Sequence, residues 1–396
     1  MKPLLSVVIP TKERYEYLEK LVELLITFKE NNFEIIIQDN SQDNSKFLSY
    51  LLKLNDHRVR YFYTKNPLSV VDNCDLAVNN SKGKFICFIG DDDGVLPSII
   101  DCCNWMESQN VDAVYFNKAN YVWPDLNGKY LISNNPGTLI IPLFTGKISA
   151  VIATEEFNAV LSYGGVDMLN LPRLYHGIVS REALNKVKAN SGSYFPGPSP
   201  DMANAVALSK FLKKCFFIDL PLVISGKGVK STSGQGAKHE HKGDLKAKSF
   251  LPKDTIQNWS TFVPKYWSGP TIWAESLLQS SKRSNISVAE KFNYAYLYSS
   301  CLVFTPEYKS IVNKKIEDYS SHFNLSRKLF KLKIAINIIH IYYRRLQSFT
   351  KNIMFKYNLL SHKKSKFNNV LTIIQAVSIL NKKKINVEDI FLKNRS

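Results

Sequence analysis

The chain has 396 residues, 45% of them hydrophobic and 22% charged, a balance that excludes a disordered or fibrous chain and suits one large or two ordinary globular domains. No stretch reaches the ~18 uncharged apolar residues that span a bilayer, and "MKPLLSVVIP" lacks the length and cleavage-site pattern of a signal peptide, so the expected location is cytoplasmic. The formal charge of +18 sits at one end: residues 321–396 hold sixteen Lys or Arg against Glu388 and Asp389, a net of +14, which leaves +4 for the first 320 residues.

In chain order, "LLSVVI" (4–9) is a short apolar run ending at Pro10, as a buried parallel strand would. Leu18, Leu21, Val22 and Leu25 follow at i, i+3, i+4, i+7, the buried stripe of an amphipathic helix. "FEIIIQDNSQDNS" is a second apolar run that stops at Asp39 in a polar turn, so strand, helix and strand form a βαβ unit. The pattern continues with "VRYFY" (59–63), a helix carrying Val71, Cys74 and Val78, and "FICFI" (85–89). Three adjacent aspartates, Asp91 to Asp93, then stand directly against the apolar run. Pro97 suits the first turn of another helix, and "DAVYF" (112–116) reads as the next strand.

From about 120 to 150 turn residues dominate, and from 154 to 215 helical and loop signals mix. "YFPGPSPDMANAVALSKFL" holds a rigid turn and a clear helix, with Asp201 at its start. "SGKGVKSTSGQGAKHEHKGD" (225–244) has no apolar periodicity and reads as a mobile loop. Beyond about 250 the chain reads as mainly helical. The six cysteines show no zinc-type spacing and read as reduced, mostly buried thiols.

In open α/β sheets ligands bind beyond the carboxyl ends of the strands, so Thr11, Asp39 and Asp91 to Asp93 should converge on one cleft. Three carboxylates side by side repel one another and call for a cation. The segments "SVVIPTKER", "IIIQDNSQDNS" and "AVNNSKGKFICFIGDDDG" together resemble the N-terminal half of a family 2 glycosyltransferase of the inverting, nonprocessive type. The resemblance covers roughly the first 100 residues well and residues 100–225 more loosely.

It implies a GT-A-like, mostly parallel sheet flanked by helices, with a helical C-terminal extension. It also implies a nucleotide-diphosphate sugar donor, commonly UDP-linked, and a divalent cation, Mn2+ or Mg2+, whose preference for oxygen ligands suits the aspartates. By the family's DXD pattern Asp93 is the first expected metal ligand, Asp91 contacts the ribose or the metal through water, and Asp92 the sugar. Pro10, Thr11 and Glu13 match the first-loop positions around base and ribose, Asp39 the position that bonds the base, and Lys65 and Asn66 lie after the third strand. Asp201 stands near the family's catalytic base, where Asp is equally an N-cap. His239 and His241, in the mobile loop, are read either as metal ligands or as solvated, and His176 as structural or acceptor-facing.

These readings divide the chain into a catalytic domain, 1–225, with a nucleotide-sugar half (1–115) and an acceptor half (116–225), then a basic loop (226–250) and a helical region (251–396). In the last, Lys333, Asn337, His340 and Arg344 form one polar stripe among apolar positions. That stripe suits either a peripheral helix on an anionic membrane or a subdomain packed on the catalytic domain. The expected activity is transfer of one sugar to a glycan or lipid-linked acceptor in bacterial surface polysaccharide assembly, O-antigen or capsule. A sugar nucleotidyltransferase is the alternative, but "PTKERYEYL" has no glycine for a phosphate loop. A nucleic-acid-binding protein is a second alternative, against which stand the confinement of positive charge to the tail and the acidic cleft.

Overall fold

The structure, a computed structural model, describes residues 2–126, 135–231, 242–356, 364–383 and 390–391. His239 and His241 lie outside the described residues. The N-terminal part alternates β1 (Leu5–Thr11), α1 (Tyr15–Ile26), β2 (Phe33–Asp39), α2 (Ser45–Leu51), β3 (Val59–Tyr63), α3 (Val70–Asn79) and β4 (Phe85–Phe88). β1 pairs in parallel with β2 and β4, and β2 with β3. The alternation of β1 explains its central place. Val7 and Ile9 pack with Leu18, Leu21 and Leu25 of α1, while Val8 packs on the other face with Val71, Cys74 and Val78 of α3. A strand buried on both faces needs this continuous apolar run. The strand passes through Pro10, whose missing N–H points to the β4 side beyond the last β1–β4 pair, Val8 with Phe88, so no ladder bond is lost.

The next stretch holds β5 (Gly94–Val95), α4 (Ile99–Ser108), β6 (Ala113–Phe116), β7 (Ala119–Val122), β8 (Thr138–Pro142), β9 (Ile148–Val151) and α5 (Ala153–Ser162). It is followed by β10 (Gly177–Ser180), α6 (Arg181–Ser191), α7 (Pro200–Ser209), β11 (Cys215–Ile218) and β12 (Val223–Lys227). The large sheet runs β3-β2-β1-β4-β10-β6-β11-β9. It is mostly parallel, as expected, with two strands reversed: β10 enters antiparallel between β4 and β6, and β9 pairs antiparallel with β11. A strand as short as "GIVS" carries too little periodicity to be read from sequence.

A second sheet completes the architecture, in the order β13-β8-β7-β12-β5, with β13 (Lys364–Phe367) arriving from the far end of the chain. β12 pairs with β5, Val223 with Val95 and Ile224 with Gly94. The aspartates therefore lie where the chain leaves β4 of the large sheet and enters β5 of the small one. That crossing sets the position of the site.

The C-terminal region is helical, with α8 (Gly269–Arg283), α9 (Tyr294–Phe304), α10 (Lys309–His322) and α11 (Arg327–Lys356) around their own apolar cluster. The exception is the return of β13 and α12 (Ile373–Asn381) to the N-terminal part. There Ile373 fills the space beside Gly94, where an added Cβ would meet its Cγ1 at 2.7 Å. All six cysteines are free and buried.

Candidate active site

The strand ends of β1, β2 and β4 bring Thr11, Asp39 and Asp91 to Asp93 to one side of the large sheet. Thr11 Oγ1 donates to Asp91 Oδ2 at 2.6 Å across 80 residues of sequence. Arg14, just before the first turn of α1, reaches the same oxygen with Nε at 3.1 Å and Asp92 Oδ1 with Nη1 at 3.9 Å. Burial pushes the Asp91 and Asp92 carboxyls above the usual carboxylate range, with Arg14 acting against the shift. The other Asp91 oxygen, Oδ1, is buried with no hydrogen-bond partner among the described residues. A buried, partnerless carboxylate oxygen is costly and points to a ligand.

Asp93 has a different environment. Its Oδ2 accepts from Gly90 N–H at 2.7 Å and Tyr175 Oη at 3.0 Å and faces His176 Nε2 at 2.7 Å, while Oδ1 accepts from Gly226 N–H at 2.8 Å. Burial alone would raise its carboxyl, but His176 and these hydrogen bonds hold it below the usual range. His176 in turn meets Lys118 Nζ at 2.8 Å through Nδ1, so its neutral form accepts from the lysine and donates to Asp93. Its backbone is in the left-handed region, φ 61°, a strained conformation of the kind stored at functional sites. With both oxygens engaged, Asp93 serves the geometry as an anchor. Among the three aspartates, the expected first metal ligand, Asp93, has both oxygens engaged by the protein, whereas Asp91 keeps one oxygen without a partner among the described residues.

β12 closes the site from the small sheet. Gly226 lies so close to Asp92 that an added Cβ would overlap its carbonyl oxygen, and Gly228 N–H donates to Asp92 Oδ2 at 3.2 Å. Trp123 Nε1 donates to the Asp92 carbonyl at 2.8 Å. Gly226→Ala is thus expected to push the aspartate turn out of place, lowering the melting temperature and abolishing nucleotide binding, which a thermal melt and a UDP titration would show.

The remaining expected residues fall into two groups. Asp39 is buried and engaged, its Oδ2 accepting from Tyr15 and Tyr61 hydroxyls, both at 2.7 Å, and Oδ1 from Ser41 N–H at 2.8 Å. Glu13, at φ 58°, is tied to the turn after β2: its N–H donates to Ser41 Oγ at 2.7 Å and its Oε1 accepts from Gln42 N–H at 2.6 Å. Lys65 and Asn66 are exposed. Asn66 is held by its carbonyl, which accepts from Asn40 Nδ2 at 2.8 Å.

Asp201 lies in the first turn of α7, behind Pro200, and the N-cap position belongs to Ser199, so the capping role expected for Asp201 is corrected. The half-buried Asp201 carboxyl is pushed up to about 6 by burial, against the fields of Arg173 and Lys118. Asn204, one turn on, accepts from Leu174 N–H at 3.2 Å, which sets this face of α7 beside Arg173 and the Tyr175–His176 pair. Arg14, Lys118, Trp123, Tyr175 and Gly226 were not singled out in the sequence. Arg14, in "PTKER", and Gly226, in the loop read at 225–244, lie inside segments the sequence marks out, and Gly226 belongs to strand β12 instead of a loop.

Residues 6–156 match Glycosyl transferase family 2. Among curated relatives, glycosyltransferase GlyG of Streptococcus pneumoniae is 28% identical over 135 residues, 34% of this chain and 45% of the relative. A GalNAc(5)-diNAcBac-PP-undecaprenol beta-1,3-glucosyltransferase of Campylobacter jejuni is 33% identical over 96 residues, 24% of this chain and 31% of the relative. The chain thus spans less than half the length of these relatives. Among solved structures, S. aureus TarS 1-349 in complex with UDP-GlcNAc superposes with a TM-score of 0.52 at 13% identity, covering 87% of this chain and 92% of that one, a likeness of fold. The stretch that builds β1 to β4 and the aspartate turn lies wholly inside the match, so residues 6–156 are a glycosyltransferase family 2 segment, and the chain carries a GT-A-like fold.

Proposed function

We propose that the chain is an inverting, metal-dependent glycosyltransferase that moves a sugar from a UDP-linked donor to a glycan or lipid-linked glycan in bacterial surface polysaccharide assembly, O-antigen or capsule, as a peripheral protein at the inner face of the cytoplasmic membrane. The observation that carries the reading is the buried, partnerless Oδ1 of Asp91 beside Asp92 at the crossing between the two sheets. The UDP-GlcNAc bound by TarS and the undecaprenol-linked acceptor in the Campylobacter relative's name support the donor and acceptor classes.

The donor set fits magnesium or manganese. Such ions take oxygen ligands and are often held by one or two carboxylates together with substrate phosphates. Asp91 and Asp92 supply two carboxylates. No group of three His, Cys, Asp or Glu among the described residues is arranged to hold a metal by itself, so the diphosphate would complete the shell. When bound, the cation neutralises charge on the departing diphosphate.

The chain's own residues do the rest. Thr11 and Arg14 orient Asp91, and Asp93, locked by His176 and Tyr175, fixes the turn that presents Asp92. Asp201 accepts the proton of the acceptor hydroxyl as that oxygen attacks the anomeric carbon and the bond from the sugar to the diphosphate breaks, the electron pair leaving with the phosphate. Arg173 and Lys118 favour the ionised form of Asp201, though burial keeps its pKa near 6.

A screen of nucleotide sugars with manganese, followed across pH, tests this. Protonated Asp201 cannot act as a base, so kcat/KM should fall as pH drops through about 6 and level off above it. Transfer with no acid limb would remove the base assignment, and no turnover of any nucleotide sugar would overturn the activity.

A further inference from the structure

The transfer chemistry makes no use of α11, yet this helix has two apolar faces. One is buried: Phe330, Ile334 and Ile341 pack in the helical cluster, and Ser299 Oγ of α9 donates to the Ile334 carbonyl at 2.9 Å. The other faces out. Leu329, Leu332, Ile336, Ile339, Tyr343 and Leu346 are each more than half exposed. Their spacing of alternate threes and fours makes one continuous stripe. At roughly 100° per residue the centres of the two faces lie about 180° apart, so the neighbours that cover the inner face leave the outer one exposed.

Lys333, His340 and Arg344 form the narrow polar stripe on one edge of the outward face, and Lys331 lies on the other edge. Arg344 also reaches back over the Tyr163 ring at 5.1 Å, which keeps this stripe next to the folded body. Across residues 327–356 there are eight Lys or Arg and no Asp or Glu.

We propose that this outward face of α11 lies on an anionic lipid bilayer, with the stripe from Leu329 to Leu346 in the interface and the flanking lysines and Arg344 on the headgroups. Monomeric soluble proteins seldom expose a contiguous apolar strip of this extent. An apolar stripe edged by cations, with a tyrosine in it, has the composition of an interfacial helix. The same spacing also suits a coiled-coil seam with a second copy. A second copy would set Lys331 and Lys333 against like charges with no acid on either helix to pair them, whereas anionic headgroups supply the opposite sign. No helix among the described residues is long and apolar enough to cross a membrane, so the contact is along the surface. The inference stands independently of the chemistry at Asp91 and Asp201.

Sedimentation of the full chain with vesicles tests it. The chain should pellet with phosphatidylglycerol-containing vesicles and at least tenfold less with pure phosphatidylcholine, and added salt should release it as exposed charge is screened. Leu332→Ser with Ile336→Ser and Ile339→Ser should abolish pelleting and leave UDP binding unchanged, because these side chains are each more than half exposed. Lys331→Gln with Lys333→Gln should weaken binding to the anionic vesicles alone. Equal binding to both vesicle types, or unchanged pelleting of the triple variant, overturns the proposal. So does a dimer in ultracentrifugation that the triple variant dissolves without any vesicle binding, which would assign the stripe to a second copy.

Discussion

Asp201→Asn is expected to lower turnover by roughly 10²-fold or more while leaving nucleotide affinity and melting temperature close to native. The amide keeps the shape of the carboxyl but cannot take up a proton. Because Ser199 holds the cap position of α7, the side chain at 201 is not needed to start the helix. Its charge in the first turn contributes about 0.3–1 kcal/mol at most through the helix dipole, partly offset by the cost of burying it. The substitution should therefore separate chemistry from stability. Arg173 and Lys118 would lose a neighbouring negative charge, which argues for comparing Asn with Ala: both should be slow, and neither should unfold. Turnover at saturating donor, a melting curve and a UDP titration on each variant make the measurement. Near-native turnover of the Asn variant would remove the base assignment and with it the inverting mechanism.

Asp91→Asn and Asp93→Ala are expected to fail in opposite ways. Asp91→Asn should bind UDP no better with manganese than with EDTA and still melt near the native temperature, because Thr11 can donate to the amide oxygen that replaces Asp91 Oδ2. Asp93→Ala should instead unfold early. It removes the acceptor for two backbone N–H groups, Tyr175 and His176 at a fully buried position, and such a deletion costs on the order of 3–5 kcal/mol. Calorimetry with UDP in the two conditions and thermal melts distinguish the two outcomes. A stable Asp93→Ala with lost metal dependence, beside a native-like Asp91→Asn, would return the ligand role to Asp93.

Much of the frame is legible in the sequence because its signals are local. The run "LSVVI" and the stripe Leu18, Leu21, Leu25 carry their own signals, so β1 follows from seven residues and α1 from twelve. The strand-end positions of Thr11, Asp39 and Asp91 to Asp93 follow from the same runs, since a parallel sheet puts all its carboxyl ends on one side. The polar stripe of α11 is equally local, and the structure shows it as the border between a buried and an exposed face.

Other features depend on residues far apart in the chain. Which aspartate is held on both oxygens is decided by His176, 83 residues beyond Asp93, and by Gly226, 133 residues beyond it. "DDD" is one string, and its three identical side chains carry no mark of their future partners. The strand "KSKF" (364–367) is polar and only four residues long, so neither its pairing with β8 nor the return of α12 to the N-terminal part shows in its composition. The sequence by itself determined the strands and helices of roughly the first 115 residues and where the carboxylates fall along them, because hydrophobic period is a local property. The tertiary structure alone decided which oxygens of Asp91, Asp92 and Asp93 are engaged, because hydrogen bonds to a buried carboxylate are set by whichever distant strand the closed sheets bring within 3 Å.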